Sequence, residues 1–216
     1  MKAIIFDFDG TIIDTESVWY EQSKKLLLEQ YEFELELEVF ARFIGTHEDG
    51  INVYYKKSVG ESFDIKQFNQ QLNERVNEHV QAISAREGFS TLFEKAKEIG
   101  LKIGLATSSG QQWIEPFLAR FGILNQFDAI CTRDEVSRVK PDPELYELAL
   151  KKLRVDPSEA VAIEDSVNGS LSALGAGLSC IVIPNPVTSH SSFHADTIKH
   201  QDFKSVLEEI ITLTNK

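Results

Sequence analysis

The sequence predicts an α/β fold: a parallel sheet with helices on both faces, plus a small all-helical unit inserted after the first strand. Two observations carry this. From Gly88 onward, short apolar runs alternate with helical patterns, as βαβ units do. Between Thr15 and Ile83, helical spacing recurs and no strand pattern interrupts it.

The elements follow in order. Ala3 to Phe6 is an unbroken apolar run, as expected of a strand buried on both faces. Asp7-Phe8-Asp9-Gly10-Thr11 then turns the chain. A helix is expected from about Ser17 to Gln30, with Asp14 or Thr15 as N-cap and Glu16 in its first turn. Further helices are expected over Glu36 to Ile44, Glu48 to Val59 and Ile65 to Ile83. Phe89, Leu92, Phe93, Ala96 and Ile99 form the apolar face of a helix that stops at Gly100. Leu101 to Ala106 reads as a strand, and Trp113 to Phe121 as a helix with Pro116 near its first turns. Asp128 to Thr132 is the next strand. Asp142-Pro143 opens a helix to about Leu153 as N-cap and first residue. Ala160 to Ile163 is a strand that ends in Glu164-Asp165-Ser166, and Val167 to Leu174 is a helix. Cys180 to Ile183 is a strand stopped by Pro184, and Phe203 to Leu213 is a closing helix.

Composition narrows the function. The 216 residues and 42% hydrophobic content suit one or two domains with an ordinary core. The net charge of −12, with no Lys/Arg-rich block, argues against nucleic acid as partner. No stretch has the length of a membrane span, and Met1-Lys2 leads into a strand rather than a signal peptide. Cys131 and Cys180 sit in apolar segments and read as buried thiols of a reducing compartment. A soluble cytoplasmic protein is expected.

The strand ends carry the chemistry. Ligands of parallel sheets bind where the strands finish. There this chain has Asp7 and Asp9, Thr107 and Ser108, and Glu164 and Asp165. Residues two apart on a strand share a face, so Asp7 and Asp9 repel unless a cation or a proton joins them. Carboxylates without His or Cys suit a hard cation such as Mg²⁺. Thr107 and Ser108 stand where a strand meets a helix, a place that favours anions. Lys140 adds a positive charge. A carboxylate nucleophile, a hydroxyl and a Lys around Mg²⁺ describe phosphoryl transfer.

These stretches resemble the haloacid dehalogenase superfamily. Asp7-Phe8-Asp9-Gly10-Thr11 is similar to its DxDGT signature, and Ala106-Thr107-Ser108-Ser109 to its second motif. Val139-Lys140-Pro141-Asp142-Pro143 resembles the third motif, and Glu164-Asp165-Ser166-Val167-Asn168-Gly169 the acidic fourth. The insertion resembles the helical cap of the β-phosphoglucomutase and phosphoglycolate phosphatase branch. The resemblance implies a Rossmann-like catalytic core of residues 1–14 and 86–216, with a cap of residues 15–85.

It also implies roles. Asp7 would be the nucleophile and Asp9 the general acid/base. Thr107 would hold the phosphoryl group beside the Ser108 backbone, and Lys140 would bind that group and Asp7 together. Mg²⁺ would be held by Asp7, the Asp9 carbonyl and Asp165, with Glu164 a further contributor. Thr11 is expected to orient Asp9, and Asp14 to act as hinge cap or contact. The implied function is a Mg²⁺-dependent phosphatase of a small phosphorylated metabolite, working through an aspartyl-phosphate, as a monomer or weak homodimer. The alternative is a β-phosphoglucomutase-type phosphomutase. Gly45-Thr46-His47-Glu48-Asp49-Gly50 lacks the Arg expected of a mutase cap, and Val18-Trp19-Tyr20 stands where a hinge His is expected. Both favour hydrolysis.

Other features read as background. His190, His194 and His200 lie in a polar loop rather than a metal site, and Lys56 and Lys57 on a solvated helix face. His47 is expected at the surface more than at the site. Trp19 suits pocket or core equally, and Trp113 suits packing. Gly175-Ala176-Gly177 precedes a strand and so fails as a dinucleotide loop.

Overall fold

The computed structural model describes residues 1–214. Its strands are β1 (Ala3–Phe6), β2 (Lys102–Ala106), β3 (Ala129–Cys131), β4 (Ala160–Glu164), β5 (Ser179–Val182) and β6 (Ile198–Lys199). They form one sheet in the order β3-β2-β1-β4-β5-β6, and every pair is parallel. The order reverses between β1 and β4. That switch point is where a doubly wound sheet opens a crevice beyond its strand ends.

Four helices follow β1: α1 (Thr15–Tyr31), α2 (Leu37–Ala41), α3 (Asp49–Val59) and α4 (Ile65–Val80). The others are α5 (Phe89–Glu98), α6 (Gln111–Arg120), α7 (Glu144–Leu153), α8 (Val167–Gly175) and α9 (Phe203–Thr214). Alternation along β1 sorts the core into two layers. Ile4 and Phe6 face α5, α6 and α9, whereas Ala3 and Ile5 face α7 and α8. Phe6 meets Phe89 edge-on at 5.4 Å, and Phe89 meets Phe203 at 5.8 Å. The helices therefore cover both faces of the sheet, as the sequence predicts.

Local chemistry starts the helices. Asp14 caps α1 by accepting from Ser17 N, Asp64 caps α4 through Gln67 N, and Ser166 caps α8 through Gly169 N. Among the described residues, no strand interrupts Thr15 to Val80.

Several boundaries differ from the sequence expectation, each for a tertiary reason. The helix expected over Glu36 to Ile44 is only α2. Beyond it the bonds tighten to Arg42 N→Val39 O and Phe43 N→Phe40 O, leading to Gly45 at φ 79°. Helix α4 ends at Val80 rather than Ile83, because the Arg120 guanidinium takes the carbonyls of Gln81 and Ile83. Helix α6 begins at Gln111, not Trp113, so Pro116 lies inside it rather than near its start. Its missing cap comes from Asp134, whose Oδ2 accepts from Gln111 N at 2.8 Å. Helix α7 starts at Glu144, which makes Pro143 the N-cap. The Asp142 carboxylate still accepts from Glu144 N at 3.1 Å. Strand β6 has no apolar run to announce it, since both its residues are exposed.

Candidate active site

The site grows from the end of β1. Asp7 N extends the ladder by donating to Ile163 O at 2.9 Å. The chain then folds back: Gly10 N donates to Ile13 O at 2.7 Å and Ile12 N to Phe8 O at 2.8 Å. Gly10 has φ +81°, and a Cβ there would stand 2.3 Å from Asp165 Oδ2. Only glycine lets this loop pass so close to the end of β4. Arg86 fastens the loop from behind. Its guanidinium donates to the carbonyls of Gly10, Ile183 and Pro184, and its N–H to Ile12 O.

Asp7 and Asp9 leave this turn into different surroundings. Asp7 Oδ1 accepts from Lys140 Nζ at 2.6 Å, whereas its buried Oδ2 has no protein partner. Asp9 is held by three side chains. Thr15 Oγ1 (2.6 Å) and Trp113 Nε1 (2.8 Å) donate to Oδ1, and Ser109 Oγ (2.6 Å) to Oδ2. Thr11 does not orient Asp9 as expected. Its hydroxyl donates to Asp165 Oδ1 at 3.1 Å, while Asn185 Nδ2 holds Asp165 Oδ2 at 2.7 Å. Thr15 does the work expected of Thr11, because it opens α1 directly over the turn. Trp113, expected to be packing, also faces the site.

Lys140 sits fully buried between Asp7 and Glu164, 2.6 Å from an oxygen of each. Tyr146 Oη donates to the same Glu164 Oε1 at 2.7 Å. Ser166 Oγ and Asp165 N reach Glu164 Oε2 at 3.3 Å each. Gly169 must lack a side chain, because a Cβ there would fall 2.1 Å from Glu164 Oε2. Glu164 is therefore fully engaged and acts on Lys140 rather than lying open.

Too many carboxylates share this space for all to stay ionised in the bare protein. Burial pushes Asp7 up to about 7; Lys140 pulls against that rise and Glu164 adds to it. Burial, then Asp7 and Glu164, raise Asp165 well above the carboxylate range. Burial opposes the Lys140 ammonium, yet Asp7 and Glu164 outweigh it and hold its pKa above the ordinary lysine value. Carboxylate oxygens of Asp7, Glu164 and Asp165 lie within 4.8 Å of one another. The Asp9 carbonyl accepts no hydrogen bond from the described residues. An all-oxygen set of clustered buried carboxylates beside a free backbone carbonyl fits a hard divalent cation.

A cleft of about 340 Å³ separates these strand ends from helices α1 to α4. Asp7, Asp9, Thr107, Ser108 and Asp165 line it, as do Trp19 and His47. Thr107 is buried, and its Oγ1 accepts from Ser109 N at 3.0 Å. Ser108 Oγ reaches across the cleft to Gly45 O at 2.8 Å. Asn168 Nδ2 makes a second bridge, to Ile44 O (2.8 Å) and Arg42 O (3.0 Å). The expected site residues thus converge, with Lys140 and Glu164 behind Asp7 rather than on the wall. Ser109 was within reach of sequence reasoning, since it continues the Thr107-Ser108 hydroxyl run. Trp113, Asn185, Arg86 and Tyr146 carry no local signal.

Residues 4–183 match the family model for haloacid dehalogenase-like hydrolases. The chain belongs to this family. Among curated haloacid dehalogenase-like relatives, it is 39% identical to YhcW of Bacillus subtilis (strain 168), over 97% of this chain and 92% of that one. It is 31% identical to hexitol phosphatase B of Escherichia coli (strain K12), over 85% and 84% of the two chains. Among solved structures, CbbY from Rhodobacter sphaeroides in complex with phosphate superposes with a TM-score of 0.78 at 29% identity. That match covers 95% of this chain and 96% of the other. No helix of the described residues is long and apolar enough to cross a membrane.

Proposed function

We propose that this haloacid dehalogenase-like hydrolase is a cation-dependent phosphatase of a small phosphorylated sugar or related metabolite, with residues 15–85 as its cap. The observation that carries the reading is the division of labour at Asp7. One oxygen is tied to Lys140, and the other is buried and free. A carboxylate oriented by one atom and unoccupied at the other is arranged to attack. The relatives' phosphatase names and the phosphate-bound neighbour support the same class.

Asp7 Oδ2 attacks phosphorus and the ester oxygen departs. Asp9 protonates that oxygen; Trp113, Thr15 and Ser109 aim its carboxyl. Water then attacks the phosphorus of the aspartyl-phosphate, gives its proton to Asp9, and inorganic phosphate leaves. Thr107 and the backbone around Ser108 receive the phosphoryl oxygens at the C-terminal end of β2. Lys140, fixed by Glu164 and Tyr146, keeps Asp7 in line and balances its charge. Asp7, Asp165 and the Asp9 carbonyl would hold Mg²⁺, which when bound neutralises the phosphoryl oxygens.

Hydrolysis is favoured over phosphomutase chemistry. Among the described residues, no Lys or Arg of α1 to α4 or their loops lines the cleft. The cleft's Arg133 comes from the other wall and faces Glu48 at 3.5 Å, so a bisphosphate intermediate has no cation on the α1–α4 side to grip its second phosphate. The test is phosphate release from an aryl phosphate with Mg²⁺. Wild type releases phosphate and Asp7→Asn does not; an Asp7→Asn variant of undiminished activity sinks the assignment.

A further inference from the structure

The cleft does not end at the reacting groups. It continues among the cap helices, where its walls change character. On α1, Glu16, Trp19 and Ser23 recur at helical spacing along one face, and all three line the cleft. On α3, Asn52 and Tyr55 do the same, as does Asn69 on α4. Three helices thus turn uncharged polar groups into one space, with Glu16 at its near end and Glu48 and Arg133 also on the cleft wall.

Tyr55 is the informative member. It is 1% exposed, and its hydroxyl makes no hydrogen bond of good geometry, with the Ser23 side chain beside it. Phe63 and Phe68 meet its ring edge-on at 6.0 and 5.4 Å, so the ring cannot swing away to satisfy the hydroxyl elsewhere. Burial pushes the phenol pKa up, and nearby Ser23 pulls it back only in part. The group remains a neutral donor. Buried hydroxyls are nearly always paired. One that is unpaired on a cavity wall is matched to a ligand oxygen.

We infer that Ser23, Asn52, Tyr55 and Asn69 form a subsite for the hydroxyl-rich, unphosphorylated end of a polyol or sugar monophosphate. This deepens, and rests on, the phosphatase reading. Amide and hydroxyl groups donate to and accept from hydroxyls. They offer no countercharge to a second phosphate. Length agrees as well. Glu16 and Ser23 are seven residues apart on α1, roughly 10 Å along its axis. A longer polyol chain reaches further along this wall than a three-carbon leaving group does.

Phosphate release is measured with Mg²⁺ from an aryl phosphate, glycerol phosphate, a hexitol 6-phosphate and a hexose bisphosphate. The hexitol phosphate should exceed glycerol phosphate and the bisphosphate in kcat/KM by about tenfold, the factor one well-made hydrogen bond supplies. Tyr55→Phe and Asn69→Ala should each lower the ratio of hexitol to aryl phosphate kcat/KM by about tenfold, mostly through KM. Tyr55→Phe keeps the ring and its packing. Preference for the bisphosphate or for glycerol phosphate overturns the subsite. So does a ratio that neither variant moves while the aryl phosphate is still hydrolysed. No release from any of the four, the aryl ester included, instead overturns the phosphatase reading on which the subsite rests.

Discussion

Trp113 Nε1 donates to Asp9 Oδ1 across 2.8 Å, linking helix α6 to the turn after β1. The indole also packs on Trp19 at 5.9 Å and Phe117 at 5.3 Å. Trp113→Phe keeps a ring in place and removes the donor alone. A hydrogen bond contributes about 0.5–1.5 kcal/mol, so kcat should fall about two- to tenfold with little change in KM. Steady-state kinetics on an aryl phosphate checks this, and an unchanged kcat removes Trp113 from the site.

Gly169 tests how tightly Glu164 is confined. A methyl group at 169 would stand 2.2 Å from Glu164 Oε1, the oxygen that holds Lys140. Gly169→Ala must displace that carboxylate and strip a buried ammonium of one partner. We expect about 3–5 kcal/mol of lost stability, read from denaturant unfolding, and activity lost with it. A variant as stable as wild type would show that Glu164 moves freely.

Stability should respond to pH and Mg²⁺ together. Asp7 is raised from 3.8 to about 7, and Asp165 is raised as well. A carboxyl with a raised folded-state pKa supports the fold while protonated. That support is complete below the unfolded value and is lost as pH rises through the folded one. The metal-free protein should therefore weaken between about pH 4 and about pH 7. A bound cation offsets the loss, so Mg²⁺ should raise Tm more at about pH 7.5 than at about pH 5. Differential scanning fluorimetry at the two pH values decides; an equal gain at both contradicts the cation site.

Asn168 tests the contact between α8 and the loop after α2. It bridges α8 to the Arg42 and Ile44 carbonyls and is half-buried rather than part of the core. Asn168→Ala should lower kcat/KM about fivefold, the equivalent of about 1 kcal/mol, while Tm barely moves. Limited proteolysis should cut residues 42–48 faster than in wild type. Identical cleavage rates would mean the bridge does not hold that loop.

What the sequence discloses here follows from distance along the chain. The carboxylates after β1 and β4 and the hydroxyls after β2 are local signals, because an apolar run ends and polar residues begin. Asp7, Asp9, Thr107 and Asp165 could be named for that reason. Trp113, Tyr146, Asn185 and Arg86 act on residues far away in sequence, and nothing beside them marks the partner. Lys140 was legible as a cation, yet its burial behind Asp7 was not. Boundaries behave alike. Helices α1 and α4 carry their own Asp caps and start where expected, within two residues. Helix α6 borrows Asp134 as its cap, so its start was misplaced.

The register of β1 has a further consequence, for the order of assembly. Ala3 lies opposite Lys102 on one side and Ala160 on the other. The strand that bears Asp7 therefore pairs only with segments far along the chain. Such long-range pairing slows folding, whereas the α1–α4 contacts can form early from chain nearer at hand. Lys140 and Asp165 also arrive late in synthesis. A chain that stops before β4 thus carries Asp7 and Lys140 without Glu164 and Asp165, the acids that complete the buried cluster. On the phosphatase reading, hydrolysis waits on β4.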